Sequence, residues 1–463
     1  MDRTTRIHHV PRAGLRLSGL VVILQIYCFQ AASVVGQPNI KAGSSLPNAF
    51  TWEETEPWQR HAIDDTLRGA DGVRLADANG DGRLDIVTGW EESGRVRAYF
   101  HPGIDSVRDE WPYVDVGMAP SVEDAVWVDL NGDGQLDVLS SCEGKEQTLR
   151  VHLAPTSRQD LLDPTAWQSE VIDCSQGVSR WMFAAPLTHS NSRHSNPRWN
   201  ALGPIASPTE AIAIVVASKN PGGMVGILYR PSMDTRWKLQ KLVDAAWVMS
   251  LDVVDVDGDG DLDILYDDRK GSESGVYYLE NSEPDRLPWD ERRWEQHLIG
   301  GSKREVMFLD FSIGTKDAAN YQGTDFRIVV PVKPNSLLVF SRTNDSEVAA
   351  NSVAWRTQEL QLQPMARFGL AKSVAVGDLN GDGKDDLVFA CESAVSPRSG
   401  VVWFIRDAEA WKTRSVSGTE GIKFDLLELV DLDADSDLDI LTCEERADGR
   451  GLGIIWYENP SRP

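Results

Sequence analysis

Cysteine, histidine and positive charge are scarce in this sequence, and each shortage closes off a class of protein. Five cysteines in 463 residues are too few to frame a disulfide scaffold. Cys142, Cys391 and Cys443 each follow an apolar run and read as buried thiols; the spacing leaves open whether Cys142 bridges Cys174. Lysine and arginine number 46 against 71 acidic residues, a formal charge of −25. Such a surface repels phosphate and argues against nucleic acid as a partner. A nucleophile elbow, a phosphate-cradling glycine loop and a Cys-x-x-Cys pair are all missing. Only six histidines lie beyond residue 36: His61, His101, His152, His189, His194 and His297. His61 and His297 share a Trp-x-x-His-x-Ile setting and read as structural, whereas His189 and His194 fall in a polar insertion that reads as a loop.

Long apolar runs are also missing, with one exception at the start. Arg3, Arg6, Arg12 and Arg16 precede an apolar run from Leu17 to Ile26, and small residues follow at Ala31-Ala32-Ser33. That order is the pattern of a secretory signal over residues 1–36. The run is short for a membrane anchor and Gln25 interrupts it. The expected product is secreted, periplasmic or displayed at the cell surface, with no membrane span after cleavage. Residues 37–57, with Pro38, Pro47 and Pro57, read as an extended lead-in.

Acidic residues are abundant, and their placement is regular. An Asp-x-(Asn/Asp)-x-Asp-x-x-x-Asp loop occurs five times, beginning at Asp77, Asp129, Asp255, Asp378 and Asp431, and each copy runs into an apolar strand. Twenty of the 71 acidic residues lie in these loops. Oxygens at positions 1, 3, 5 and 9 surround one hard cation, and without an ion so dense a set of carboxylates repels itself. An EF-hand needs glutamate at position 12, where this chain has Thr88, Ser140, Tyr266, Phe389 and Thr442.

Tryptophan supplies an independent count. Trp58, Trp111, Trp167, Trp237, Trp294, Trp355 and Trp411 each open an alternating strand, at separations of 53, 56, 70, 57, 61 and 56 residues. Seven units follow, of which five keep the acidic loop. Unit three carries an insertion to about residue 209 and unit five a polar stretch before Phe326; both keep strands and lose the ligand spacing. Four strands per unit at this period predict an all-β, seven-bladed propeller over residues 58–463. The strand from Trp58 to Ile63 lacks a unit of its own and the chain ends on a third-type strand, Gly453–Tyr457. The N-terminal strand therefore completes the last blade and removes two open edges. An open sandwich or a solenoid array is the alternative.

The loop–strand repeats resemble the FG-GAP/VCBS family, known from integrin α-subunit propellers and secreted bacterial proteins. Phe368-Gly369 before Ser373–Gly383 is the closest local match. The resemblance implies structural calcium in up to five sites, with a backbone carbonyl from position 7 and a carboxylate from position 9. Its ligands here are Asp77, Asn79, Asp81 and Asp85; Asp129, Asn131, Asp133 and Asp137; Asp255, Asp257, Asp259 and Asp263; Asp378, Asn380, Asp382 and Asp386; and Asp431, Asp433, Asp435 and Asp439. Gly82, Gly134, Gly260 and Gly383 at position 6 permit the tight turn. Ala434 and Ser436 replace both glycines of the last loop, so that turn is expected to be strained or altered and its affinity the weakest.

Architecture rather than activity unites such proteins, so function must come from side chains. Loops between second and third strands lie on the face opposite the acidic loops, and there Glu143, Lys219, Arg269, Lys333, Glu392 and Glu444 are candidate ligand-binding residues. In ring order the glutamates occupy units six, seven, one and two and the cations units three, four and five, which predicts an acidic half and a basic half. A monomeric scaffold for a protein or carbohydrate ligand is one reading, with a sugar or uronate held by the basic half. A polysaccharide lyase or hydrolase using a pair such as Glu143 and Glu444 is the other. Trp90, Trp127, Trp181, Trp247 and Trp403 offer rings for stacking on sugars or for the core.

Overall fold

The computed structural model describes residues 46–187, 211–313, 326–343, 353–407, 410–445 and 451–460. The signal segment, His189 and His194 lie outside the described residues.

Strands form where the sequence alternates or runs apolar between Gly- and Asp-rich turns, and they assemble into seven sheets. Blade one comprises Ala70–Ala76, Asp85–Trp90, Arg95–Tyr99 and Tyr113–Met118. Blade two comprises Val122–Val128, Asp137–Cys142, Thr148–Leu153 and Gln168–Val171, and blade three Arg180–Pro186, Ile212–Lys219, Met224–Arg230 and Lys238–Asp244. Blade four takes Val248–Val254, Asp263–Asp268, Gly275–Asn281 and Trp294–Gly300; blade five takes Asp310–Ile313, Phe326–Val332, Ser336–Thr343 and Ala354–Gln361. Blade six is built from Leu370–Gly377, Asp386–Glu392, Val401–Arg406 and Trp411–Ser415, and blade seven from Phe424–Val430, Asp439–Glu444 and Gly453–Glu458.

Gln59–Asp64 closes the ring as the fourth strand of blade seven, antiparallel to Gly453–Glu458 with His61 opposite Trp456. Phe50–Glu53 lies within the stretch read as lead-in, yet it forms a strand: it pairs parallel with Trp411–Ser415 and gives blade six a fifth member.

Burial follows from this geometry. The second strands of blades one, two, four and seven are buried at every residue, because neighbouring blades cover both faces. Fourth strands face solvent, as in Lys238–Asp244 and Ala354–Gln361. Seven apolar clusters fill the molecule, one at each junction between consecutive blades, including the junction of blades seven and one. Three of the recurring tryptophans fasten a fourth strand to the loop before it. Trp111 Nε1 donates to Val107 O (3.0 Å), Trp167 Nε1 to Leu161 O (3.0 Å) and Trp294 Nε1 to Pro288 O (2.8 Å). Trp90, Trp127, Trp181 and Trp403 are core residues, at most 5% exposed, whereas Trp247 is only partly buried. Cys142, Cys174, Cys391 and Cys443 are free thiols, all but Cys174 buried.

Candidate functional site

Each acidic loop is placed by the two strands it joins. Its first aspartate follows the last residue of the first strand, and its ninth is the first residue of the second. The ninth side chain turns inward and stitches the blade together. Asp137 accepts Leu130 N (2.8 Å) and Ala154 N (2.7 Å), Asp263 accepts Val256 N (2.9 Å) and Asn281 N (2.9 Å), and Asp439 accepts Leu432 N (3.0 Å) and Asn459 N (2.9 Å). Asp85 does the same with Ala78 N and His101 N, and Asp386 with Arg406 N and the Trp403 indole. Burial pushes Asp85, Asp137 and Asp386 up to about 7, and Asp263 and Asp439 up to about 8, with nearby loop carboxylates adding to the rise.

Positions 1, 3 and 5 curl onto the loop's own backbone. In the first loop Asp77 accepts Asp81 N (3.0 Å) and Gly82 N (3.0 Å), Asn79 accepts Asp81 N (2.8 Å) and Asp81 accepts Arg83 N (2.9 Å). The loop starting at Asp378 repeats this, with Asp378 on Asp382 N and Gly383 N, Asn380 on Asp382 N and Asp382 on Lys384 N. The turn places positions 4 and 6 at positive φ: 75° and 87° at Gly80 and Gly82, and 62° and 76° at Ala434 and Ser436. The last loop therefore makes the same turn as its siblings, with side chains where they have glycine.

This donor set fits a hard divalent cation. It is all oxygen, and the carboxylates of Asp255, Asp257 and Asp259, and those of Asp431, Asp433 and Asp439, lie within 4.8 Å of one another. A bound ion would keep the buried position-9 carboxylates charged.

At the other end of the second strands stand Glu143, Lys219, Arg269, Lys333, Glu392 and Glu444, on the rim opposite the acidic loops. The two signs keep to the blades expected of them, and they pair across blade junctions. Lys219 of blade three pairs with Glu143 of blade two, and Lys333 of blade five with Glu392 of blade six. Arg269 of blade four pairs with Glu305, which precedes blade five (2.7 Å). Glu444 is buried and capped by backbone, accepting Ile422 N (2.9 Å), Lys423 N (3.2 Å) and Leu452 N (2.8 Å). Trp247 lies among cations, with Lys219 Nζ, Arg269 Cζ and Lys270 Nζ 4.7, 4.5 and 4.9 Å from its ring centroid.

The charges that do converge belong to the innermost strands. Six of these strands break register near their start, at Asp71–Arg74, Val122–Asp124, Trp181–Phe183, Val248–Ser250, Ala371–Ser373 and Phe424–Leu427. Such a bulge re-aims the side chain it carries. Those side chains are Lys372, Asp425 and Glu123 on blades six, seven and two, and Met182 and Met249 on blades three and four; Asp71 of blade one stands at the edge of its break, opposite Gly89.

Lys372, only 7% exposed, bonds Asp425 (3.0 Å) and Glu445 (2.7 Å), and Lys423 also reaches Glu445 (2.6 Å). Oxygens of Asp71, Asp425 and Glu445 come within 4.8 Å of one another, as do those of Glu91, Glu123 and Glu143. Burial and the Asp425 charge hold the Asp71 carboxyl well above the usual range; Asp425, despite its burial, stays low because Lys372 and Asp71 support its charge. Burial also raises Glu123, against the pull of Lys219, and lifts Glu91 to about 7 with Glu92 and Glu143 nearby. Further along the first strands, towards the acidic loops, Arg74 of blade one reaches Asp124 of blade two (3.0 Å). Asp71, Glu123, Glu305 and Asp425 went unmarked in the sequence; the one signal for them was a lone charge just inside an apolar strand.

Residues 77–140 match the FG-GAP-like repeat and residues 371–390 the FG-GAP repeat. No curated protein sequence matches the chain. Among solved structures it is similar to the exotype rhamnogalacturonan lyase YesX, at 13% identity over 84% of this chain and 72% of that one (TM-score 0.39). It is similar to apo AztD from Citrobacter koseri at 11% identity over 85% and 90% (TM-score 0.39), and to the periplasmic gluconolactonase PpgL of Pseudomonas aeruginosa at 14% over 86% and 97% (TM-score 0.38). Likenesses this loose carry no argument about activity. Two stretches of the chain thus match FG-GAP repeats, and the seven-bladed fold around them is consistent with an FG-GAP-type β-propeller.

Proposed function

We propose that this chain is an exported, calcium-stabilised propeller that acts as a binding scaffold, its protein or glycan ligand seated at the channel mouth opposite the acidic loops. One observation carries the reading: Lys372, 7% exposed, is buried among Asp425, Glu445 and Asp71 at the innermost strands. Well-packed apolar residues of similar volume often serve stability as well as a buried ion cluster, and the methionines of blades three and four occupy the equivalent places. A charged set kept at one mouth of a propeller channel is where a polar ligand is gripped. Calcium in the five loops is supported by their all-oxygen donor sets, and export by the N-terminal sequence. The cluster offers mostly acceptors, and the neighbouring cations are paired. A ligand presenting donors, such as sugar hydroxyls or amines, therefore fits better than a free uronate.

The enzymatic reading draws support from the meeting of Asp71 and Asp425, two carboxyls whose surroundings push them in opposite directions, as an acid and a base require. Their contact weighs against glycoside hydrolysis, which needs two carboxyls roughly 5–9.5 Å apart with the sugar between them. Glu143 and Glu444 are each engaged elsewhere, by Lys219 and by backbone N–H groups.

Calorimetric titration with neutral, amino and uronate oligosaccharides and with lysine-rich peptides tests the proposal. The expected result is saturable binding of a donor-rich ligand, weakened at least tenfold in Glu123→Gln, with no product formed. Unchanged affinity in that variant, preference for uronates, or turnover of a bound oligosaccharide would overturn it.

A further inference from the structure

The last acidic loop differs from its siblings in ways that converge on one residue. Position 7 is Arg83, Gln135, Asp261 and Lys384 in the first four loops and Asp437 in the last. Asp437 is 8% exposed, and neither of its carboxylate oxygens has a hydrogen-bond partner among the described residues. Asp261, the other acidic residue at this position, is only partly buried. The carboxylates of Asp431, Asp433 and Asp439 lie within 4.8 Å of one another, and Asp437 is close enough to feel the charges of Asp435, Asp433 and Asp431. A buried carboxylate that no donor reaches, set among other carboxylates, is unfavourable unless a cation joins them. Ala434 and Ser436 meanwhile hold φ of 62° and 76° without glycine, a conformation retained only where the surroundings demand it.

The same loop touches every part of the ring's seam. Arg108 of blade one donates to Asp433 (2.5 Å) and to both oxygens of Glu458 (2.9 Å each). Glu458 also meets His61 of the N-terminal strand (2.8 Å). Asp439 accepts Asn459 N, whose side-chain amide donates to Leu438 O (2.9 Å) and, across in blade six, to Leu379 O (2.9 Å). His101 of blade one contacts Leu432 O (3.0 Å).

We propose that Asp437 supplies a ligand beyond the repeat pattern, making the last loop a distinct site for a hard divalent cation, and that this ion latches the closed ring. The inference rests on reading the acidic loops as cation sites and deepens it. It reverses the expectation drawn from the missing glycines, because an added carboxylate raises affinity where strain alone would lower it.

Calcium titration, thermal melting and hydrogen exchange on the full chain and on Asp437→Asn test it, with Asp261→Asn as control. In calcium, Asp437→Asn is expected to lose at least tenfold in affinity at one site and at least tenfold in amide protection over Gln59–Asp64. In chelator the order reverses and the variant melts above wild type, since an unpartnered buried charge has gone. Asp261→Asn keeps wild-type protection at the seam. If Asp437→Asn melts lower in both conditions, the residue is merely structural and the proposal fails. If calcium binds and stabilises the wild type while Asp437→Asn matches it, the latch fails and the loop reading stands. If the wild type binds no calcium, both fall.

Discussion

At the level of single residues, burial without a compensating charge makes the sharpest demands. His152 is fully buried between two hydroxyls, Ser140 Oγ at 2.9 Å from Nε2 and Ser169 Oγ at 2.7 Å from Nδ1. Burial, helped by the Arg150 charge, lowers it to about 3. In the unfolded chain its pKa returns to about 6.5, so between these values the unfolded state takes up a proton that the native state refuses. The stability it confers is complete above about pH 6.5 and is lost as the pH falls towards 3, with about 2 kcal/mol gone by pH 5. Urea unfolding of wild type and His152→Gln at pH 7 and pH 5 checks this: the variant is expected to lose about 2 kcal/mol less over that interval. Equal losses would show that His152 does not titrate on unfolding. None of this was legible in the sequence, where His152 has no distinguishing neighbour; His61 and His297 were legible because their Trp-x-x-His-x-Ile setting repeats. Both meet a third-strand glutamate and stack on a third-strand ring, His61 on Glu458 and Trp456, His297 on Glu280 and Tyr278.

At the level of elements, periodicity revealed the strands and concealed the charges that matter. The acidic loops were visible because their carboxylates and amides are local, all within nine residues. Lys372, Asp425, Asp71 and Glu123 were not singled out together, because a bulge breaks the alternation that assigns a side chain to a face. The Phe50–Glu53 strand escaped for a different reason: four residues between prolines carry no pattern of their own, and blade six supplies the partner. Phe50 meets Phe404 edge-on at 5.8 Å, Glu53 pairs with Arg414 (2.7 Å), and Trp411 bonds Ala49 O and Pro47 O. This strand is an addition to a complete blade, whereas Gly453–Glu458 joins the ring. Phe50→Ala should therefore free residues 50–53 to exchange while lowering global stability by about 1 kcal/mol or less. Ile455→Ala, at a fully buried site on the closing blade, should cost about 2–5 kcal/mol. Exchange mapped by mass spectrometry, with denaturant midpoints, separates the two; comparable global losses would mean that the fifth strand is part of the closure.

Across the whole molecule, seven junction cores and one seam carry the stability. At the seam Asp64 of the N-terminal strand accepts Arg97 (2.7 Å) and Tyr99 (2.7 Å) of blade one, and Trp90 donates to Tyr99 (2.9 Å), so the closing strand is tied to the blade beyond it. If the loops hold calcium, each site adds about 2.7 kcal/mol at a hundredfold excess over Kd. Scanning calorimetry in millimolar calcium and in excess chelator should then show a large fall in Tm on chelation. Superimposable traces would remove calcium from the account.

The sequence by itself determined how many blades there are, where the ring closes and which loops gather carboxylates. Repeats and short-range spacing encode those features, and hydrophobic periodicity reports them residue by residue. The tertiary structure alone decided which charges meet. Lys219 finds Glu143, Lys333 finds Glu392 and Lys372 finds Asp425 across blade junctions, between residues 53 to 76 apart in the chain. Coulomb energy depends on distance in space and on burial, and neither is written in the order of residues.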